Sequence, residues 1–421
     1  MSLRHRVVSG LGANAINQMV TIGIQLVSLP VFLAYWSVPR YGTWLILSAV
    51  PSYFSLADAG LTTVAGNNMT MMMARQEYRR ANAVFQTAIV TTTLIVVAVM
   101  LVATPIIWWI ADLGSTEKKL ALTCLIAVAL LNISGGLFDA AFRASGAYAA
   151  GTVALAGGRL IEWCGGLLGL SVYGTMAAVA GGSLIARLAV TVALVAYSRS
   201  KFPTFRWGVE SATREDLRSM LIPALSFLAF PIGLALSLQG MTLLVGYFFG
   251  PTRLTLFNTY RTLSRTLVQV AAVLSRSLWS EISRYYGAGE AAVVARLYQR
   301  GTEAAALVCV AAAAVLLLAG KFIIGVWTHH KIEYDSPLFA AFVVVALINC
   351  FWQVGLVVIS ATNNHQRFSW AFLFSSAASV ALAALLARST GLLGCVAALG
   401  CAEVGMLILS RRTIASILGA R

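Results

Sequence analysis

Long apolar runs, broken by short polar or charged patches, recur along the whole chain. Runs of about 18 or more apolar residues are long enough to cross a bilayer as helices. The pattern predicts twelve such cores, at 11–34, 44–66, 83–110, 120–142, 151–171, 175–197, 221–247, 256–278, 301–327, 338–360, 369–387 and 391–409. A large β-barrel would show shorter alternating segments with weaker hydropathy. The expected fold is therefore all-α, a polytopic membrane protein of about twelve transmembrane helices.

The interruptions set the orientation. With the N-terminus inside, the inner segments hold eighteen Lys and Arg and the outer ones six. This bias fits an even number of spans with both termini cytoplasmic. The start, basic at Arg4 and Arg6 and then apolar to about Tyr35, reads as a retained first helix rather than a cleaved signal.

The longest inner connection, 198–220, lies at the middle of the chain, and Thr213 with Asp216 has the form of a capping box opening a short helix. It divides the sequence into an N-terminal lobe (1–197, spans one to six), a cytoplasmic linker (198–220) and a C-terminal lobe (221–421, spans seven to twelve). "AYWSVPRYGTW" (34–44) resembles "GYFFGPTRLTL" (246–256), with Tyr35 on Tyr247 and Pro39 on Pro251, both at an offset of 212. Odd spans start inside in both halves. The two six-helix lobes thus read as parallel repeats, a transporter plan with the substrate site at the repeat interface. Pro30, Pro223 and Pro231 are placed to kink spans one and seven, which are repeat equivalents.

Composition narrows the class further. Hydrophobic residues make up 59% of the chain and charged residues 11%, with a mean hydropathy of +0.83. Soluble domains carry about 25% charged residues, so a water-soluble fold is excluded. The net charge of +15 does not imply nucleic acid, because the basic residues punctuate apolar runs instead of clustering on a polar surface. Cys124, Cys164, Cys309, Cys350, Cys395 and Cys401 lie in or beside apolar segments without a CxxC pair, and read as buried thiols. "WTHHKIEYDS" (327–336) brings His329, His330, Glu333 and Asp335 close together, but lacks the i, i+4 histidine spacing of a helical zinc site. No P-loop, GxSxG or paired catalytic carboxylates are present. No metal, cofactor or enzymatic activity is expected, and ATP-driven transport would need a partner chain.

Ionisable residues inside spans are costly and face protein or a wet cavity. Span eight is the most informative. At about 100° per residue, Arg265 falls about 40° from Arg261, Gln269 about 80° and Arg276 about 60°. Three arginines and a glutamine thus share one helix face. Guanidinium forks match phosphate oxygens, so a cationic strip lining a cavity for an anionic substrate is one reading. The other is that these arginines pair with acids on neighbouring helices while Arg261 and Arg276 snorkel. Arg187 in span six has no local acid, and Asp139 or Glu403 are candidate partners. Arg159 and Glu162, three apart, are expected to pair with each other. Asn14, Asn17, Gln18 and Gln25 share a broad face of span one, as polar glue between helices or as sugar-hydroxyl contacts. Asp58 is the only formal charge from Trp44 to Ala65. It reads as a structural anchor, with a coupling-ion role as the alternative.

Pro30, Tyr41-Gly42-x-Trp44 and "LADAGL" (Leu56 to Leu61), with the polar start of span one and the six-plus-six plan, resemble the Wzx-type polysaccharide flippases of the multidrug/oligosaccharidyl-lipid/polysaccharide exporter superfamily. Ser37-Val38-Pro39 replaces the usual outer-turn Leu-Gly. The resemblance implies a bacterial inner-membrane protein of O-antigen or exopolysaccharide biosynthesis. It would move an undecaprenyl-pyrophosphate-linked oligosaccharide from the cytoplasmic to the periplasmic leaflet by alternating access through an arginine-lined central cavity. Membrane lipids, and glycan polymerase or export proteins, are the implied partners. The competing reading in the same superfamily is a cation-coupled multidrug efflux antiporter, for which Asp58, Asp139 and Glu403 would be coupling candidates.

Overall fold

The computed structural model describes residues 3–54, 60–276, 278–362 and 364–419; residues 3–8, 11, 222–227, 276, 280 and 365 are described by backbone alone. Among the described residues there is no strand. The helices are α1 (Leu3–Tyr35), α2 (Val38–Phe54), α3 (Leu61–Ala74), α4 (Tyr78–Pro105), α5 (Thr116–Ala144), α6 (Tyr148–Tyr173), α7 (Met176–Lys201), α8 (Arg214–Phe227), α9 (Ala229–Ala235), α10 (Met241–Arg276), α11 (Trp279–Gly287), α12 (Ala291–Trp327), α13 (Ser336–Ala361) and α14 (His365–Gly419). Single π-turns follow α4 (Ile106–Ile110) and α9 (Leu236–Gly240).

Nine helices among the described residues are long and apolar enough to cross a membrane, which makes the chain a multi-pass membrane protein. Two of these, Ala229–Ser275 and Gln366–Gly419, run to 47 and 54 residues. At about 1.5 Å per residue, each is more than twice the length needed for one crossing. Both turn back on themselves at glycines with positive φ, Gly250 (φ 75°, ψ 175°) and Gly391 (φ 66°, ψ −147°). The reversal is visible in contacts that a straight helix forbids. Arg261 Nη1 donates to the carbonyl of Leu238 at 2.7 Å, and Ser375 Oγ donates to that of Ala402 at 3.4 Å. Each long helix therefore supplies two of the predicted spans. Predicted span two runs across α2 and α3, and its residues 55–59, Asp58 included, lie outside the described residues.

Local chemistry explains where the helices start and stop. Ser115, Thr175 and Asp335 cap α5, α7 and α13 by accepting from the backbone N–H three residues on. Before α8, Thr213 Oγ1 accepts from Asp216 N at 3.1 Å and donates to Asp216 Oδ2 at 2.6 Å, so the predicted capping pair forms. Span seven is not one helix. Pro231 has no N–H to offer the carbonyl of Phe227, and the chain bends at 228 between α8 and α9. The tight α6–α7 hairpin turns at Gly174 and packs through small residues. A methyl group on Gly169 would meet the carbonyl of Ala178, and one on Gly165 would sit 2.6 Å from that of Gly182.

Packing divides the chain into one unit of Met1–Ser28 and Leu47–Pro231, and a second of Leu29–Ile46 and Ile232–Arg421. The first is cored by Phe85, Phe138, Phe142, Phe205 and Met220. The second is cored by Phe257, Tyr260, Phe339 and Phe342, whose rings meet at 4.8 Å (Phe257–Phe342) and 5.3 Å (Tyr260–Phe339). The segment 29–46 joins the second unit through bonds to its carbonyls. Thr255 Oγ1 donates to Val38 O at 2.9 Å, His329 Nε2 lies 3.2 Å from Pro30 O, and Lys331 Nζ donates to Leu33 O. Gly42 also lies against Pro251, so the two turns that match in sequence touch each other.

The linker after α7 is not a free loop. The Gln86 side chain, 3% exposed, donates to Arg206 O at 3.1 Å and accepts from Ser211 N at 2.6 Å. Asn82 accepts from Arg206 N and Thr87 from Thr213 N, while Trp207 packs edge-on to Phe85 at 5.2 Å. Three side chains of α4 thus hold the linker's backbone in place, and a fourth, Phe85, packs on Trp207.

Candidate functional site

The second unit contains a pocket of about 430 Å³ of empty space, walled by Ser237 and Leu238 of the π-turn, by α10, by α13 and by α14. Its charged residues are Arg261, Arg265 and Glu403. The predicted face of α10 therefore lines a real cavity, at least at its first two arginines.

Their environments differ. Arg261 is committed to protein: its guanidinium donates to Leu238 O (2.7 Å), Thr242 Oγ1 (2.8 Å) and Asn258 Oδ1 (2.8 Å), and lies 5.4 Å from the centre of the Phe257 ring. The Leu238 carbonyl, in the π-turn, also accepts from Met241 N and from Thr242 Oγ1, the latter at 2.8 Å. Arg261 thus holds a helical irregularity beside the pocket. Arg265, one turn along, lines the same pocket and makes no hydrogen bond or close ion pair with protein among the described residues; its charge faces Glu403 across the space.

Glu403 is held by neutral donors. Trp352 Nε1 donates to its Oε2 at 2.6 Å and Asn349 Nδ2 at 2.9 Å, while Gln353 donates on to Asn349 Oδ1 at 3.3 Å. Sequence reading missed Asn349 and Trp352. The signal was present as "NCFWQ" (349–353), a polar pair at i, i+4 inside an otherwise apolar span.

In the first unit a separate polar cluster joins α1, α5, α6 and α7. Arg187, only 2% exposed, places Nη1 3.8 Å from Glu162 Oε2 and donates from Nη2 to Leu131 O at 3.4 Å. Its Nε has no partner among the described residues. Asn132 donates to Glu162 at 3.2 Å. Arg159 turns instead to α1, donating to Asn17 Oδ1 and, at 3.3 Å, to Thr21 Oγ1. The expected Arg159–Glu162 pair is thus corrected. Burial of Arg187 draws the carboxylate inwards, and Arg159 finds neutral acceptors on α1. Arg187's partner is Glu162, neither Asp139 nor Glu403; Asp139 pairs with Arg143 at 3.1 Å. Asn14 accepts from Tyr148 OH at 3.0 Å, so Asn14 and Asn17 both join α1 to α6.

The remaining candidates are placed as follows. Gln269 is on α10 but outside the pocket wall, and the Arg276 side chain is outside the described residues. Cys309, Cys350 and Cys395 are buried thiols as expected, whereas Cys164 and Cys401 are exposed.

No protein-family model matches the sequence, and no curated protein is similar to it. Solved structures are. A multidrug resistance MATE family transporter of the MOP superfamily in an inward-facing conformation matches with a TM-score of 0.77 at 12% identity, over 97% of this chain and 98% of that one. A MATE protein in the straight conformation matches with a TM-score of 0.65 at 12% identity, over 97% and 96%. A MOP superfamily transporter from Pyrococcus furiosus, described as having a binding pocket of reversed polarity that suggests a different function, matches with a TM-score of 0.65 at 12% identity, over 97% and 96%. The fold is therefore MATE-like along nearly the whole chain.

Proposed function

We propose that this protein is a flippase for an undecaprenyl-pyrophosphate-linked oligosaccharide, carrying it from the cytoplasmic to the periplasmic leaflet by alternating access, with Arg265 as the contact for the pyrophosphate. The observation that carries the reading is the state of Arg265. It is a guanidinium in a membrane-embedded pocket with no bond to protein among the described residues, beside a second arginine. Glu403 meets its charge across the pocket without a hydrogen bond, so the donors of the fork stay open, and a phosphate oxygen pair fits them. The Pyrococcus protein's reversed pocket polarity supports the idea that this fold takes cargo of more than one charge.

A cation-coupled multidrug antiporter is the second reading, favoured by the MATE neighbours and by Glu403 in the same pocket. Proteoliposomes separate the two. Wild-type protein is expected to move a fluorescent polyprenyl-pyrophosphate disaccharide between leaflets, read by its protection from a membrane-impermeant quencher. Arg265→Ala should lose about tenfold or more, the worth of one charge-assisted bond, with Arg265→Lys in between. Failure of the wild type to move this lipid, with uptake of ethidium against a cation gradient, would replace the flippase reading with the antiporter.

A further inference from the structure

The fold-back of α14 at Gly391 brings its first turns against its last. Between them lies a groove with about 1250 Å³ of empty space, lined by Asn364, Arg367 and Phe368 on one side and by Leu409, Arg412 and Ile417 on the other. Two features set it apart from a merely basic surface. Its two arginines, 45 residues apart in sequence, make no hydrogen bond or ion pair with protein among the described residues, and no acidic residue lines it. Its floor is apolar, with Phe368 1% exposed and Ile417 7%. Its hydroxyls, Thr413 and Ser416, donate to carbonyls of their own helix, so the arginines are the groove's charged donors. By the sequence pattern, whose last apolar core ends at 409, the groove falls at the membrane surface.

We propose that this groove binds the headgroup of an anionic phospholipid, with the phosphate between Arg367 and Arg412 and the glycerol and upper acyl carbons on the Phe368–Leu409–Ile417 floor. On the positive-inside reading it opens to the cytoplasmic leaflet, where basic pockets between membrane helices meet acidic headgroups. A soluble phosphate compound would use the arginines but gain nothing from the apolar floor, so the lipid is the better match. The site is separate from the Arg265 pocket, and its occupancy does not depend on what the protein transports.

The test is native mass spectrometry of the full chain in detergent, delipidated and then titrated with phosphatidylglycerol, cardiolipin or phosphatidylcholine. Wild-type protein should retain the anionic lipids preferentially. Arg367→Gln or Arg412→Gln should lower that preference about fivefold each, and the double variant by the product. The double variant Arg296→Gln/Arg300→Gln, with the same charge change at exposed positions of α12, should keep it. Equal loss in both double variants, or no loss in the first, overturns the site. Displacement of the lipid by millimolar inorganic pyrophosphate overturns the choice of lipid over a soluble phosphate. Unchanged melting temperatures without added lipid show that the variants fold, and single substitutions replace the double one if it does not.

Discussion

Replacing Glu162 by glutamine tests how the first unit tolerates a buried arginine. The pair is poorly matched. Arg187 is 2% exposed and Glu162 20%, the closest approach is 3.8 Å, and Arg187 Nε has no partner among the described residues. At an effective dielectric constant of about 20, charges at this distance attract by about 4 kcal/mol. That gain offsets a desolvation cost of several kcal/mol per ion, borne mostly by Arg187. Glu162→Gln removes the gain and leaves the cost, with Arg159 as a second cation close by, so about 3–5 kcal/mol of stability should be lost. Arg187→Met should cost less, because Glu162 keeps the Asn132 bond and partial exposure. The double variant Arg187→Met/Glu162→Gln should return to within about 1 kcal/mol of wild type, as buried pairs replaced together often do. The assay is a double-mutant cycle of reversible unfolding in mixed micelles of rising SDS fraction, followed by tryptophan fluorescence. Additive losses in the double variant, or a Glu162→Gln protein as stable as wild type, would refute the argument that the acid is there to neutralise the arginine.

Two further outcomes follow from single side chains. Gln86→Leu removes both amide contacts to the linker, so segment 203–212 should become a site of rapid limited proteolysis while the membrane helices stay intact; unchanged resistance would mean that Asn82, Thr87 and the Trp207 packing suffice. Trp352→Phe keeps the ring but deletes the 2.6 Å bond to Glu403, and should lower unfolding stability by about 1.5–3 kcal/mol, the worth of a hydrogen bond to a charged group. A fully stable Trp352→Phe protein would show that Asn349 alone holds the carboxylate.

The spans were legible because crossing a bilayer constrains length and polarity at every residue. Thirty ångströms of hydrocarbon needs about twenty apolar residues, and breaks at Gly250 and Gly391 fall where the apolar runs pause. The helix starts at Thr213, Thr175 and Asp335 follow from local chemistry of the same kind. What was not legible depends on a neighbour far along the chain. The docking of the linker rests on Gln86, whose partners are about 120 residues away, and nothing in "AVFQTA" marks that glutamine as a strap. Arg159 and Glu162 share a face at i, i+3, yet each finds a better partner on another helix.

The α10 arginines show the limit of periodicity most directly. Arg261 and Arg265 are one turn apart on one face, and by angle alone they are interchangeable. What separates them is the backbone opposite. The Leu238 carbonyl of the π-turn at Leu236–Gly240 accepts from Arg261 as well as from Met241 N–H, and no carbonyl accepts from Arg265 among the described residues. Contact with this turn, Thr242 and Asn258 makes one arginine of the pair a structural clamp and leaves the other facing the pocket. That division predicts different behaviour on substitution. Arg261→Lys should cost stability, because one ammonium cannot reach Leu238 O, Thr242 and Asn258 with the fork's geometry. Arg265→Lys should leave stability near wild type and change only what the pocket binds. Equal destabilisation by the two substitutions, measured in the same SDS titration, would show that Arg265 too is a structural residue and would remove the ground for reading it as a ligand contact.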